Sequence, residues 1–235
     1  VATEIELKLL LADEVAYGVV RSALERLDPS PQVLEQVNYY LDTPHAALRR
    51  AGVMVRRRTA NGASMVTVKA QPQLAGGVMR VTELERRHDP ATTARWQHHP
   101  PSRLQLDELQ VADWLGEGGV LAEPLAAGTW LHVIGALATT RRVYRLDAVQ
   151  WLAMAAEPAS AAVLAGAGPV QVELDHARYG VGGSDTQRFE IEVEHPQADL
   201  LHAPIAQWLD DLGVVAVPAD ESKYAQLLRL MDRVG

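Results

Sequence analysis

Apolar and polar residues alternate at the start of the chain. Ile5, Leu7 and Leu9 fall on one side of an extended segment, and Glu4, Glu6 and Lys8 fall on the other. That spacing predicts a strand over 3–11. From 13 to 27 the period becomes helical, with Val15, Val19, Val20, Ala23, Leu24 and Leu27 on one face, and Asp28-Pro29-Ser30-Pro31 ends the helix. A strand follows over 37–42, and Pro44 opens a short helix through Arg50. Segments 52–59 and 64–70 read as a hairpin around Asn61-Gly62, and Gly76-Gly77 leads into a strand over 78–87. Residues 90–128 read as mostly helical, with two polar or glycine-rich breaks. Strands are expected at 130–136, 139–146, 170–179 and 187–195, the last two joined by Gly180-Val181-Gly182-Gly183. Helices over 197–212 and 220–233 close the chain. The Ala-rich stretch at about 148–168, interrupted by Pro158, reads as an insertion between two strands. No repeat or linker divides the sequence, so the expectation is one domain over 1–235, an α+β fold of antiparallel strands with peripheral helices.

What alternates with the apolar residues is unusual. Nearly every strand carries charge on one face: Glu4, Glu6 and Lys8; Arg56 and Arg58; Lys69 beside Thr67; Glu83 and Glu85; Arg141 and Arg145; Glu173 and Asp175; Glu190, Glu192 and Glu194. A half-exposed sheet with one wet face gives such alternation too. Here, however, the acidic and basic strands segregate, which a surface sheet does not require. Curling the charged face inward would bring both sets around a water-filled lumen. Clustered carboxylates then call for a hard divalent cation such as Mg²⁺ or Mn²⁺, and clustered Arg and Lys call for an anion whose oxygens they can fork. Metal plus polyphosphate satisfies both halves.

Composition narrows the classes. The chain has 235 residues, 48% of them apolar, which is enough for a buried core. A formal net charge of −8 argues against a general nucleic-acid or membrane-surface binder. The absence of cysteine excludes thiol catalysis, disulfides and Cys-ligated zinc. Glu4, Glu6 and Lys8 are incompatible with a signal-peptide core, and Glu157 and Pro158 interrupt the most apolar stretch below the ~18 residues a membrane span needs. The expectation is a cytoplasmic protein without nucleic-acid or membrane partners, acting on a small molecule.

Glu4-Ile5-Glu6-Leu7-Lys8 resembles the ExExK signature of CYTH domains, the triphosphate tunnel metalloenzymes. The likeness runs nearly the whole chain. It continues through Asn38-Tyr39-Tyr40-Leu41-Asp42, Gly52-Val53-Met54-Val55-Arg56, Val66-Thr67-Val68-Lys69, Thr140-Arg141-Arg142-Val143-Tyr144, Val172-Glu173-Leu174-Asp175, Phe189-Glu190-Ile191-Glu192-Val193-Glu194 and Glu221-Ser222-Lys223-Tyr224. The resemblance implies an eight-stranded antiparallel tunnel, a closed barrel, that binds a small-molecule triphosphate with divalent metal. It implies hydrolysis of inorganic or thiamine triphosphate, or cyclisation of ATP. By position, Glu4, Glu6, Glu190, Glu192 and Glu194 are similar to the metal ligands. Lys8, Arg56, Arg58, Lys69, Arg141, Arg145 and Lys223 are similar to the phosphate-binding cations. Lys8, Glu173 and Asp175 are the candidates for a direct part in catalysis, the two carboxylates by positioning water or a second metal.

Two positions depart from the family pattern. Met54 stands where an arginine is common in the third strand, with Arg58 on the same face as its replacement. Val81 stands two before Glu83 where another arginine is common; Arg80 is one residue out of phase, and a bulge would be needed to turn it inward. The sparse aromatic residues, 5% of the chain, favour a substrate without a ring. A polyphosphate-binding module without catalysis is the alternative reading. Other motifs carry less. His98-His99 reads as a solvated turn, and His176 points away from Asp175. Gly180-Val181-Gly182-Gly183 lacks the Lys-Ser/Thr of a phosphate-binding loop. Trp208, Leu209 and Leu212 read as packing, and Ser222 is as well placed to cap a helix as to touch phosphate.

Overall fold

The computed structural model describes residues 2–98, 100–126, 128–147, 151, 169–181 and 184–233. The alternation read at the N-terminus becomes β1 (Ala2–Leu11), followed by α1 (Glu14–Leu27), β2 (Gln32–Asp42), α2 (Ala47–Arg50), β3 (Val53–Ala60), β4 (Ala63–Ala75) and β5 (Val78–Arg87). Next come α3 (Pro90–His98), β6 (Arg103–Gln105), α4 (Leu106–Leu109), α5 (Ala112–Leu115), β7 (Trp130–Asp147), β8 (Pro169–Val181) and β9 (Ser184–Glu194). The chain ends with α6 (Ala198–Asp211), β10 (Ala216–Pro218) and α7 (Lys223–Met231). Eight strands pair in the order β1-β5-β4-β3-β2-β7-β8-β9, every pair antiparallel, and β9 returns to β1 to close the barrel. β6 and β10 are short additions beside β7 and β1.

The barrel is inverted relative to an ordinary core. Its apolar faces point outward and are covered by helices; its charged faces point in. Leu7, Leu9 and Leu11 of β1 pack with β8 and β9 residues under Tyr17, Val20 and Leu24 of α1 and Leu201, Ile205, Trp208 and Leu209 of α6. Asp13 fixes the entry to α1 by accepting the Ala16 N–H at 2.8 Å. On the other flank, Val53, Val55, Val66, Val68 and Leu84 pack under Trp96, Leu106, Leu109 and Leu115. Each of these buried side chains contributes about 1.5–3 kcal/mol, so the covering helices supply the stability that a polar lumen cannot.

α7 covers one end of the barrel. Its Leu227 packs on Tyr40, Leu137, Ala177 and Tyr179. Gly135 of β7 makes room for it, since a Cβ there would lie 3.0 Å from Leu227 Cδ2 and from Met231 Sδ. The helix start is fixed by Ser222, whose Oγ accepts the Ala225 N–H at 3.1 Å, so capping is its observed role.

Several expectations need correction. Segment 90–128 is only partly helical: β6 separates α3 from α4, the left-handed Gln110 (φ +58°) separates α4 from α5, and turns at Gly116, Gly118 and Gly119 follow α5. The two strands expected at 130–146 are one, because Leu137 continues the pairing with both β2 and β8. The bulge near this region lies in β4, between Ala70 and Gln73, and does not turn Arg80 inward; Arg80 pairs with Asp199 of α6 outside the barrel. The insertion expected at about 148–168 falls outside the described residues apart from Trp151, which is buried edge-on to Trp208 at 5.6 Å. His98 is exposed at the end of α3, and His99 lies outside the described residues. His176 faces outward and stacks on Phe189 at 4.7 Å. Gly180 pairs with Asp185 in a β-hairpin, as expected, while Gly182 and Gly183 lie outside the described residues. Among the described residues, no helix is long and apolar enough to cross a membrane.

The backbone of Lys8 is held from two sides: its N–H donates to Gly77 O at 2.8 Å and its carbonyl accepts from Ala219 N at 3.0 Å. Gly77 has φ +79°, and a Cβ there would sit 2.8 Å from the Lys8 carbonyl oxygen. Gly77→Ala is therefore expected to destabilise by about 1–3 kcal/mol. Gly62→Ala, with a similar φ of +82° but open space around it, isolates the backbone part and should cost less. Chemical denaturation of the two variants checks the difference, and equal losses would remove the close-approach argument.

Candidate active site

The inward faces of the eight strands enclose a cavity of about 470 Å³, lined by Glu4, Glu6, Lys8, Arg56, Arg58, Lys69, Glu83, Glu85, Arg141, Glu173, Asp175, Glu192, Glu194 and Lys223 among others. The strand register explains the convergence. Glu6 lies opposite Glu194, Lys8 opposite Glu192, Met54 opposite Lys69, and Arg141 opposite Asp175. Directly opposed residues share a face, so each inward residue brings its partner with it.

The charges form three groups. At the α7 end, Lys223 lies 3.0 Å from Asp175 Oδ2 and 2.6 Å from Glu192 Oε1, and it also pairs with Glu190. Arg141 forks Asp175 at 2.8 and 2.6 Å, reaches Glu192 Oε2 at 2.7 Å and pairs with Glu173. Lys8 adds a 2.6 Å contact to Glu192 Oε1 and a 3.0 Å contact to Glu6 Oε1. Burial by itself would raise the carboxylate pKa values here. Arg141 and Lys223 outweigh it at Asp175, and Lys223, Lys8 and Arg141 outweigh it at Glu192, so both are held below the usual range. Glu173 is the exception: burial pushes it up to about 7 against the pull of Arg141. Its Oε1 accepts from Gln171 Nε2 at 3.0 Å.

A second group is poor in cations. Glu4, Glu6 and Glu83 gather around Lys69, which pairs with Glu4 and lies 3.4 Å from Glu83 Oε1 and 3.9 Å from Glu6 Oε1. Glu194 stands at the rim beside them. Burial, then Glu4, Glu6 and Glu83, raise its pKa, with Lys69 opposing. The third group is Arg56 and Arg58 on β3. Neither has a carboxylate partner among the described residues. Arg56 Nη2 donates to Thr67 Oγ1 at 3.3 Å, and Arg58 Nε donates to Asn38 Oδ1 at 3.2 Å. Burial, then Arg56 and Arg141, lower the Arg58 pKa to about 10.

Two sequence-based candidates, Arg145 and Glu190, do not line the lumen itself. Arg145 is exposed and lines a surface depression with Leu27, Asp28 and Pro29, although Gln171 opposite it on β8 lines the lumen. Glu190 is fully buried beneath Lys223, its second partner being Arg188 at 2.7 Å. Arg188 was not a candidate from sequence. It shares the inward alternation of β9, and its Nη1 and Nη2 tie α7 down through Gln226 Oε1 at 2.8 Å and Glu221 O at 2.7 Å. Gln36, Asn38, Thr139 and Gln171 also line the lumen without having been singled out. Met54 and Val81 line it as apolar residues.

A divalent cation suits this oxygen-rich set. Asp175, Glu190 and Glu192 offer oxygens within 4.8 Å of one another, with the Lys223 ammonium already among them. The Glu4, Glu6 and Glu194 side has fewer cations, Lys69 and, at Glu6 Oε1, Lys8 at 3.0 Å.

The CYTH domain family matches residues 2–221. Among solved structures, HpAC1 from Hippeastrum, a candidate adenylyl cyclase described as having a dominant triphosphatase activity, superposes with a TM-score of 0.70 at 23% identity, covering 96% of this chain and 95% of that one. A candidate adenylate cyclase from Bacillus halodurans gives 0.56 at 19% identity, covering 96% and 98%. The PH1819 protein of Pyrococcus horikoshii gives 0.54 at 16% identity, covering 96% and 98%. These likenesses establish a shared fold. No curated protein sequence matches the chain.

Proposed function

The chain belongs to the CYTH domain family, and on that premise we propose that it hydrolyses a triphosphate with a divalent metal, Mg²⁺ or Mn²⁺, inorganic triphosphate being the substrate that fits best. One observation carries this reading: Arg56 and Arg58 face the lumen without a carboxylate partner among the described residues, opposite a cation-poor acidic set. Each half is electrostatically incomplete, and a metal–polyphosphate completes both.

Phosphoryl transfer depends mainly on positioning and charge neutralisation. Arg56 and Arg58 would fork the non-bridging oxygens, with Lys69 and Lys8 adding point charge along the same chain of phosphates. Glu4, Glu6 and Glu194 would hold the metal, which when bound supplies positive charge against phosphate oxygens and acidifies a water. Glu173, pushed up to about 7, is the carboxylate suited to take a proton from the attacking water near neutral pH. Asp175 stays ionised and orients Arg141.

The test is phosphate release from inorganic triphosphate with and without Mg²⁺ or Mn²⁺, with ATP and thiamine triphosphate in parallel. Metal-dependent release, fastest from inorganic triphosphate, is expected. Met54 and Val81 support the second reading, a binding module, because they replace charge with apolar surface in the lumen. Saturable triphosphate binding with no turnover of any of the three would favour it.

Arg58→Met separates substrate binding from folding. Arg58 is buried and repelled by Arg56 and Arg141, so its loss should leave stability unchanged or slightly raised. KM for triphosphate should rise at least about tenfold, the value of one charge-assisted fork. Steady-state kinetics beside a thermal melt read both effects. A large loss of stability with unchanged KM would make Arg58 a structural residue.

A further inference from the structure

In the run Arg56-Arg57-Arg58, strand alternation sends the outer two residues into the lumen and Arg57 out of the barrel. Arg57 does not reach solvent: it is 0% exposed, lying under α3. Its guanidinium carbon is 4.3 Å from the Tyr39 ring centre and 5.3 Å from that of Trp96. Stacking of this kind occupies the faces of the guanidinium and leaves its N–H edge for hydrogen bonds. None of its three nitrogens has a partner.

Two more polar side chains at this place are also buried and unpartnered, Ser64 through Oγ and His88 through both ring nitrogens. The contacts join these residues into one cluster. The His88 N–H donates to Ser64 O at 3.0 Å, and its ring lies edge-on to Trp96 at 4.6 Å. Ser64 is the diagonal neighbour of Arg57 across the β3–β4 ladder, since Arg57 pairs with Val66 and Thr59 with Ser64. Among the described residues no carboxylate enters the cluster. Asp89, next in sequence to His88, is exposed and is held by the Thr92 N–H and hydroxyl at 2.9 and 2.7 Å. Arg86, the other nearby cation, pairs with Asp113.

We propose that Arg57, Ser64 and His88, closed over by Tyr39 and Trp96, form a binding site for a small monovalent inorganic anion of the chloride class, separate from the tunnel. A buried guanidinium without a counter-charge is strongly unfavourable. Water would satisfy its N–H groups and leave its charge uncompensated; an anion does both. The enclosure, with Arg57, Ser64, Trp96 and His88 at 0%, 1%, 2% and 8% exposure, selects a small ion over a phosphate ester. The lowered pKa values of Arg57 and His88, each due first to burial, describe the cluster before such an ion neutralises it. Occupancy ties α3 to β3, the strand that presents Arg56 and Arg58 to the lumen.

The experiment exchanges sodium gluconate for sodium chloride at constant ionic strength and follows Tm in the wild-type protein and in Arg57→Met. The wild type should show a rise that grows with the logarithm of chloride concentration above Kd, about 3–6 °C at roughly tenfold excess over Kd, and the variant should lose that rise. Crystals of the wild-type protein soaked in bromide supply the second measurement, which does not depend on the variant folding. An anomalous peak in contact with Arg57 is expected. The same chloride response in both proteins, or a bromide-soaked crystal without a peak at Arg57, overturns the proposal.

Discussion

Arg141→Met should be the most damaging single substitution in the lumen, lowering stability by about 3–5 kcal/mol near pH 7 and removing turnover. Arg141 contacts Glu173, Asp175 and Glu192 at once. Removing one partner of a buried ionic group costs more than the group contributes, because the remaining charges stay desolvated. Lys8 and Lys223 stay in place and offset part of the loss at Glu192 and Asp175; Glu173 loses its one ion-pair partner among the described residues. The pH dependence has a definite sign. Asp175 and Glu192 have folded-state pKa values below their unfolded ones. Each therefore contributes stability present above the unfolded carboxylate pKa and lost as pH falls through the folded value. Without Arg141 these pKa values rise, so that contribution shrinks and the buried carboxylates protonate more readily. The gap between variant and wild type should narrow as pH falls from 7 towards 4.5. Urea denaturation at the two pH values reads it. A gap that widens in acid would mean that Arg141 does not compensate these carboxylates.

The same cluster shows where sequence reading succeeds and where it stops. Alternation in β1, β3, β8 and β9 identifies the lumen face because the strand period is two and the closed ladder has no freedom to slip. Thus Glu4, Glu6, Lys8, Arg56, Arg58, Asp175 and Glu192 all line the cavity. Arg145 obeys the same alternation, opposite the lumen residue Gln171, and is still exposed, because alternation gives the face of a strand and not whether its side chain turns to the lumen or to solvent. Arg188 escaped notice for the complementary reason: its partners Glu221 and Gln226 lie over thirty residues away, on a segment whose docking no local pattern reveals. The helix cover was legible where it is long, as in α1, and misread over 90–128. There short turns meet tertiary contacts that local propensity does not contain. Alternation already sends Arg57 to the outer face, but its burial under α3 depends on tertiary packing that the local pattern does not contain.

Glu6→Gln should act in opposite directions on two measurements. Glu6 is buried; it shares Lys8, 3.0 Å away, with Glu192, and Lys69 with Glu4 and Glu83. Neutralising it removes a negative charge from the wall facing the substrate. In EDTA, triphosphate should therefore bind more tightly, on the order of a hundredfold for a charge about 6 Å away at an effective dielectric near 20. Turnover in Mg²⁺ or Mn²⁺ should fall at least about a hundredfold, because the lost metal contribution to the transition state is worth several kcal/mol. Calorimetry without metal and phosphate release with it read the two effects on one preparation. An ordinary lumen carboxylate would give the first effect without the second. A purely structural one would weaken both along with stability. Tighter metal-free binding together with lost metal-dependent turnover is the combination expected of a metal ligand. It would locate the divalent ion on the cation-poor side of the tunnel, where the carboxylates outnumber the cations that hold them.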